Sequence, residues 1–484
     1  MDEEIKIGLD FGTHQTKICI QIIPDEGHGL PEYEFMKFAD LMGEVHYFIP
    51  SVVQINKDDT LSYGYCDPNN EKEQTDRPIL RQVTPDVIED IDEEADNLFF
   101  KYAPDSVPDV ESLTALRRML EKKNAFEQAF YEKNRLLAQE EYEKALESFH
   151  HHRNVFRYFK QATFAEYPWE GKYAPQLLCV WYLTYIIFLL EERFGQNFSI
   201  NMGVPTDDKT FEQKKRLAVQ ILSSAYHLVE KVYQNDMDSF LKEKVDSLQE
   251  KTILYDYSDE DKEEYKINVF PEAYASLIGL TSRGKLSEGM SINADIGGGT
   301  TDVSFFIIND GLPKIYKYWS IPRGLNYIAE QSGFDYSEGD FMRKAHEDII
   351  EKFNNKKKEL VYNLELELLS LLRKYNTGID KSRLNEALKD RILVYNGGGS
   401  IYPSIATPIF HFTDVKTVNS DLWTEEIMHE KNSVMKLANI LTTSFGLSLS
   451  DDDQNVVLCD FNSLFKEHSK ERSNEKEEID KDVC

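Results

Sequence analysis

Apolar residues recur along the chain with two different periods. Short runs of strand length, alternating or continuous, lie at Ile5–Leu9, Lys17–Ile23, Val52–Ile55, Ile200–Val204, Ser291–Ile296, Thr301–Ile308 and Ile392–Tyr395. From Gln176 to Leu190 no charge occurs, and Leu, Trp, Tyr and Ile dominate. That stretch is shorter than the roughly 20 apolar residues a membrane span needs. It predicts a buried helix over Ala174–Phe194, stopped by Gly195. Helical periodicity returns over Phe211–Leu228 and Asp340–Lys374, the second with Leu360, Leu364, Leu366, Leu369 and Leu372 available for one face. Glu111 to about Lys160 is charged, with apolar positions such as Leu116, Leu120, Phe126, Phe130, Leu136 and Leu137, and predicts one or two amphipathic helices. Strands alternate with helices, so the expected class is α/β.

Charge changes this picture at three places. Asp86 to Asp96 holds seven acids and no base, a solvated loop or an interaction surface. Asp256–Glu264 is acidic and reads as a loop, and Lys466–Cys484 as a disordered tail of mixed charge. Over 484 residues the formal charge is −31. Such a surface repels nucleic acid and anionic lipid, so neither is expected as a partner. An anionic ligand would need local neutralisation by a metal ion and backbone N–H groups. The five cysteines are odd in number and form no CxxC pair, and the start Met1-Asp2-Glu3-Glu4 lacks the character of a signal peptide. A reducing, cytoplasmic setting is the expectation.

Candidate chemistry sits in three glycine turns. The first is Gly8-Leu9-Asp10-Phe11-Gly12-Thr13-His14, which taken alone also fits an ordinary hairpin. The second is Asp295-Ile296-Gly297-Gly298-Gly299-Thr300-Thr301-Asp302, entered and left by apolar strands. Three successive glycines cost conformational entropy to order. The cost fits a backbone that must approach an anion closely, because successive N–H groups make a concave anion site. The third is Asn396-Gly397-Gly398-Gly399-Ser400-Ile401-Tyr402-Pro403, glycines after a strand that suit a flat ligand or a phosphate. The strand–glycine–strand pattern at Asp10 recurs at Asp295, as two related lobes would show.

In order and spacing these turns resemble the two phosphate motifs and the adenosine motif of the superfamily that contains actin, the seventy-kilodalton heat-shock chaperones and the sugar kinases. Leu177–Val204 looks like the chaperone segment that precedes the second phosphate motif, and Phe270–Leu277 resembles the helix joining the two lobes. The likeness covers roughly Ile5 to Ser450, apart from Asp86–Lys160. It implies a two-lobed actin-like fold of duplicated ribonuclease-H-like lobes with helical insertions, and ATP or ADP bound with Mg²⁺ between the lobes. The implied division is 1–205 for a first lobe with an insert at about 86–160, 206–270 for the lobe connection and 271–395 for a second lobe with a helical subdomain at about 340–390. An adenosine motif and return helix would follow at 396–455, and a charged tail at 456–484.

The resemblance also implies roles. Gly12, Thr13 and His14 from one side, and Gly297, Gly298, Gly299 and Thr300 from the other, would hold the phosphates through N–H groups and the two threonine hydroxyls. Gly397, Gly398, Gly399 and Ser400 would meet the adenosine. Asp10 and Asp295 would hold the metal, largely through water. Glu272 would orient the attacking water, or else is a first-turn glutamate favoured by the helix dipole. Lys17, seven residues after Asp10, would contact phosphate, or else is a solvent-facing strand lysine.

Three departures stand out. Phe270 occupies the place of a chaperone glutamate, the segment Tyr63–Asp67 holds no lysine where chaperones use one, and Ile401 falls near their base-stacking arginine. Only a short stretch follows Ser450, so the peptide clamping of a full chaperone is not expected. The implied activity is a chaperone-like ATPase acting on a protein partner. The rivals are an actin-like filament former that self-associates, a small-molecule kinase and a non-hydrolysing nucleotide sensor.

Overall fold

The computed structural model describes residues 4–24, 30–72, 154–165, 169, 171–206, 210–255, 264–284, 286, 289–309, 311–321, 324–332, 345, 347–355, 366, 392–406, 414–417, 437–450 and 456. The chain divides into two units, Met1–Lys72 with Val155–Cys484, and Glu73–Asn154. The second unit falls outside the described residues except for Asn154, and so do the acidic run 86–96 and most of the helices expected over 111–160. Most of 256–264, most of 340–374 and the whole tail from 466 also fall outside; residues 347–355 are helical.

The first unit is mixed α/β and carries two large sheets. The first sheet contains β1 (Glu4–Phe11), β2 (Gln15–Ile23), β3 (Glu32–Phe35), β4 (Phe198–Val204) and β5 (Ile267–Pro271). Its order is β5-β4-β1-β2-β3, with Ile49–Pro50 also pairing with β2. Strands β1, β2 and β3 form an antiparallel meander, while β4 and β5 run parallel to β1. The second sheet contains β6 (Gly289–Ile296), β7 (Thr301–Asn309), β8 (Leu312–Ile321), β9 (Ile392–Asn396) and β10 (Asp414–Thr417), in the order β8-β7-β6-β9-β10. It too is a meander of three antiparallel strands with two parallel strands beyond the first. The two sheets therefore share one order and one set of directions. Strands β3, β5, β8 and β10 were not evident as apolar runs. Residues 206–270, expected to link two lobes, end in β5 of the first sheet.

The helices that matter for the site are α1 (Phe159–Phe164), α2 (Pro175–Phe194), α3 (Phe211–His227), α4 (Glu272–Thr281), α5 (Leu325–Gln331) and α6 (Ala438–Leu449). Helix α2 is buried on nearly every side, as its charge-free sequence demands. Pro175 opens it, and Gly195 closes it with φ +71° and an N–H donated to the Glu191 carbonyl at 2.9 Å. Among the described residues no helix is long and apolar enough to cross a membrane.

Helices α4 and α6 exchange sheets. Helix α4 leaves the first sheet, yet Ala273 and Leu277 pack with Phe306, Ile308 and Ile315 of the second. Helix α6 follows the second sheet, yet Leu441 and Phe445 pack with Cys19 and Phe35 of the first. The Asn201 amide on β4 closes the end of α6 by donating to the carbonyls of Leu447 (2.8 Å) and Ser450 (2.6 Å). The two helices cross with almost no space between their backbones. A Cβ on Gly446 would lie 1.7 Å from the Ala275 carbonyl oxygen, and one on Gly8 of β1 would lie 2.1 Å from that of Ser444. Close-packed interiors do not absorb such an overlap without moving backbone.

Gly446→Ala is therefore expected to destabilise the protein by about 1–3 kcal/mol or more, read as a lower urea midpoint. An unchanged midpoint would mean that the helices do not cross this closely.

Candidate functional site

The first two glycine turns are equivalent hairpins. In one, Asp10 pairs with Lys17 and Phe11 with Thr16; in the other, Asp295 pairs with Asp302 and Ile296 with Thr301. Each leaves four residues in its loop and sets an acid opposite the residue seven positions on. The first turn is fastened from outside the hairpin: the Ser51 hydroxyl donates to the Gly12 carbonyl (2.7 Å), and the Ser51 N–H to that of His14 (2.8 Å). The second is braced by the start of α5, where Leu325 and Asn326 N–H groups donate to the Gly297 and Gly298 carbonyls at 3.0 and 2.9 Å.

These turns meet face to face. A Cβ on Gly298 would fall 2.0 Å from His14 Cδ2, and one on Gly299 would fall 2.9 Å from Thr13 Cγ2. Only glycine permits that approach, which accounts for Gly298 and Gly299; a Cβ on Gly297 would meet nothing closer than 3.4 Å. His14 Nε2 also bonds Asn326 Oδ1, and its ring stands edge-on to Tyr158 at 4.6 Å. The Gly12 N–H is taken by the Asp10 carbonyl and that of Gly297 by Thr300. The N–H groups of Thr13, Gly298, Gly299 and Thr300 have no acceptor among the described residues. Gly299 is buried and the other three are half-buried, and all four line the cleft, so the set can serve as an anion cradle.

The third turn enters the same cleft. Gly397 has φ +75°, and a Cβ there would lie 2.2 Å from Asp295 Oδ1. Gly397 and Gly398 line the cleft, joined by Asn439, Ile440 and Thr443 from the start of α6. Gly399 and Ser400 are buried behind the lining. The Ser400 hydroxyl accepts from Asn439 Nδ2 (2.9 Å) and donates to the Gly397 carbonyl (2.8 Å). Those two residues shape the turn rather than facing the cleft.

Charge converges here. Lys17 Nζ donates to Asp10 Oδ2 at 3.0 Å, across the hairpin and away from bulk solvent. Lys160, on α1 and buried, forms an ion pair with Glu272 at the first turn of α4. Asp302 is the fourth carboxylate of the lining and accepts from the Thr300 hydroxyl at 2.9 Å. Burial pushes the Asp295 carboxyl up from 3.8 to about 8, and the charges of Asp302, Asp10 and Glu272 add to the shift against the pull of Lys17. Burial likewise holds Glu272 above the usual carboxylate range; Lys160 lowers it, while Asp10 and Asp302 raise it.

Four mutually repelling carboxylates beside unpartnered N–H groups fit a divalent cation carrying an anionic ligand. Among the described residues the only three ligand atoms within 4.8 Å of one another belong to Asp40, Glu44 and His46, which are not among the residues lining the cleft. The cleft acids thus suit an ion that keeps water between itself and the protein.

Of the residues singled out from sequence, all but Gly399 and Ser400 line this cleft. Lys160, Asp302 and Asn439 were missed. Lys160 stands among Phe156, Tyr158, Phe159 and Phe164, and a lysine inside an aromatic run is a signal for a buried, paired cation. Asp302 is readable from the hairpin register, being to Asp295 what Lys17 is to Asp10. Tyr158 precedes α1 with φ +59°, a conformation uncommon for a bulky side chain and found where a site holds strain.

The raised folded-state pKa of Asp295 means that its stabilising contribution is complete below pH 3.8 and is lost as pH rises through about 8. In chelator, Asp295→Asn is expected to melt a few degrees above the wild type at pH 9, with the gap closing toward pH 4. A variant that melts lower at pH 9 would contradict the repulsion. No family model matches the chain, and no curated protein matches it.

Proposed function

We propose that the chain is a magnesium-dependent ATPase of the two-lobed superfamily of actin, the heat-shock chaperones and the sugar kinases, nearest in its cleft to the chaperone ATPase. The observation that carries this reading is the meeting, in one cleft, of glycine turns at 12–14, 297–300 and 397–398 with Asp10, Lys17, Lys160, Glu272, Asp295 and Asp302. The repeated sheet topology supports duplicated ribonuclease-H-like lobes, and the exchange of α4 and α6 supports a hinge between them.

In this reading the free N–H groups of Thr13 and Gly298–Thr300 grip the phosphates from opposite sides. Lys17 and Lys160 add positive charge where the turns lack a Walker-type lysine. Mg²⁺, when bound, supplies charge neutralisation at the phosphate oxygens. Asp10 and Asp295 are the residues that would hold it, largely through water. Glu272, held by Lys160 and with a raised pKa, positions the water that attacks the terminal phosphate. Gly397, Gly398, Ile440 and Thr443 form the adenosine side. Closing the lobes on ATP and relaxing them after hydrolysis would act on a protein partner.

Calorimetric titration with ATP is expected to show binding in Mg²⁺ that is lost in chelator and weakened at least about tenfold in Asp295→Asn. Lys160→Met is expected to slow phosphate release by about 100-fold or more. Wild-type protein with no magnesium-dependent affinity for ATP would sink the reading.

A further inference from the structure

Beside the paired charges of the cleft lies a neutral group that no ion pair explains. Gln161 follows Lys160 on α1 and is 4% exposed. Its Nε2 is buried and has no hydrogen-bond partner among the described residues. Buried side-chain amides are satisfied as a rule, so an orphaned one asks for a reason. Its carboxamide stands where the two phosphate turns touch: a Cβ on Gly299 would lie 2.7 Å from Gln161 Oε1 and 2.9 Å from Thr13 Cγ2.

Gly299 thus leaves open the space that this amide uses, and the Gly299 N–H beside it is also without a described partner. The helix that carries Gln161 is fixed at both ends of its short length. Phe159 and Phe164 are buried in the core, and Tyr158, in its left-handed conformation, packs against His14 of the first turn. Gln161 is therefore held in position before any ligand arrives, which is what selective recognition by a single amide requires.

We propose that Gln161 is a specificity residue for the terminal phosphate: its carboxamide N–H donates to an oxygen of a nucleoside triphosphate that a diphosphate lacks. The inference rests on the nucleotide reading above and extends it. Asp10, Asp295 and the third turn serve triphosphate and diphosphate alike. Gln161 instead lies where the 12–14 and 297–300 turns meet, and it is not itself among the residues that line the cleft around Gly397 and Gly398. A neutral donor suits this place. It adds a hydrogen bond to charge without a third lysine drawing the neighbouring carboxylates together.

The test compares ATP and ADP affinity, both with Mg²⁺, in the full chain and in Gln161→Met, which keeps the volume and removes the amide. The ratio of ATP to ADP affinity is expected to fall about tenfold or more through loss of ATP binding, with ADP affinity unchanged. The ligand-free variant is expected to melt at or above the wild-type temperature, because an unsatisfied buried donor has been removed. A residue with a merely structural role would lower that temperature and leave the ratio alone. Should Gln161→Met fail to fold, Gln161→Glu keeps the shape, and its charge is expected to depress ATP affinity more than ADP affinity. A ratio that stays the same in the folded variant overturns the role of Gln161 while leaving the nucleotide reading in place. A wild type that binds neither nucleotide removes both.

Discussion

Asp295 and Asp302 face each other across a hairpin, in a cleft that also takes in Asp10 and Glu272. Like charges in direct cross-strand register work against the sheet that holds them. Burial first, and the charges of Asp302, Asp10 and Glu272 after it, move Asp295 to about 8. Two lysines answer part of this charge, each committed to one acid: Lys17 to Asp10 and Lys160 to Glu272. The second hairpin has no lysine of its own. This uncompensated charge is what the cation of the proposed reading would meet, and the surrounding backbone restrains the turns that carry it.

That backbone is rigid for specific reasons. The turns cannot spread, because Ser51 holds one and the start of α5 holds the other. The sheets cannot drift apart freely, because α4 and α6 each bury an apolar face against the sheet they did not come from. Their crossing at Gly446 and Ala275 has no room for side chains. It is a sensible place for a pivot between two sheets that share one topology.

Much of this was legible in the sequence because the signals were local. Apolar runs marked β1, β2, β4, β6, β7 and β9, and a charge-free stretch marked α2 to within a residue. The three glycine turns were evident because consecutive glycines between strands have few structural explanations. What stayed hidden was decided at long range. Strand β5 is a short run ending in proline that becomes a strand only by pairing with β4. Lys160 closes a charged, helix-favouring stretch and resembles its surface lysines, although its aromatic neighbours set it apart. Its role depends on Glu272, more than a hundred residues away. Gly399 and Ser400 look like ligand contacts in a motif, yet both are buried, and the Ser400 hydroxyl is taken by Asn439 and the Gly397 carbonyl.

The two hairpins also show how a repeated element comes to serve two purposes. Each fixes the distance from its acid to the residue seven positions on, because both loops hold four residues. With lysine at that position the hairpin neutralises itself and needs no cation. With aspartate it does not, and its field is left to act on whatever enters the cleft. Since the backbone geometry is shared, the difference lies in one side chain on each side. In the proposed reading, the asymmetry of charge between Lys17 and Asp302 is what would direct a cation toward the Asp295 side and leave the first hairpin to meet an anion.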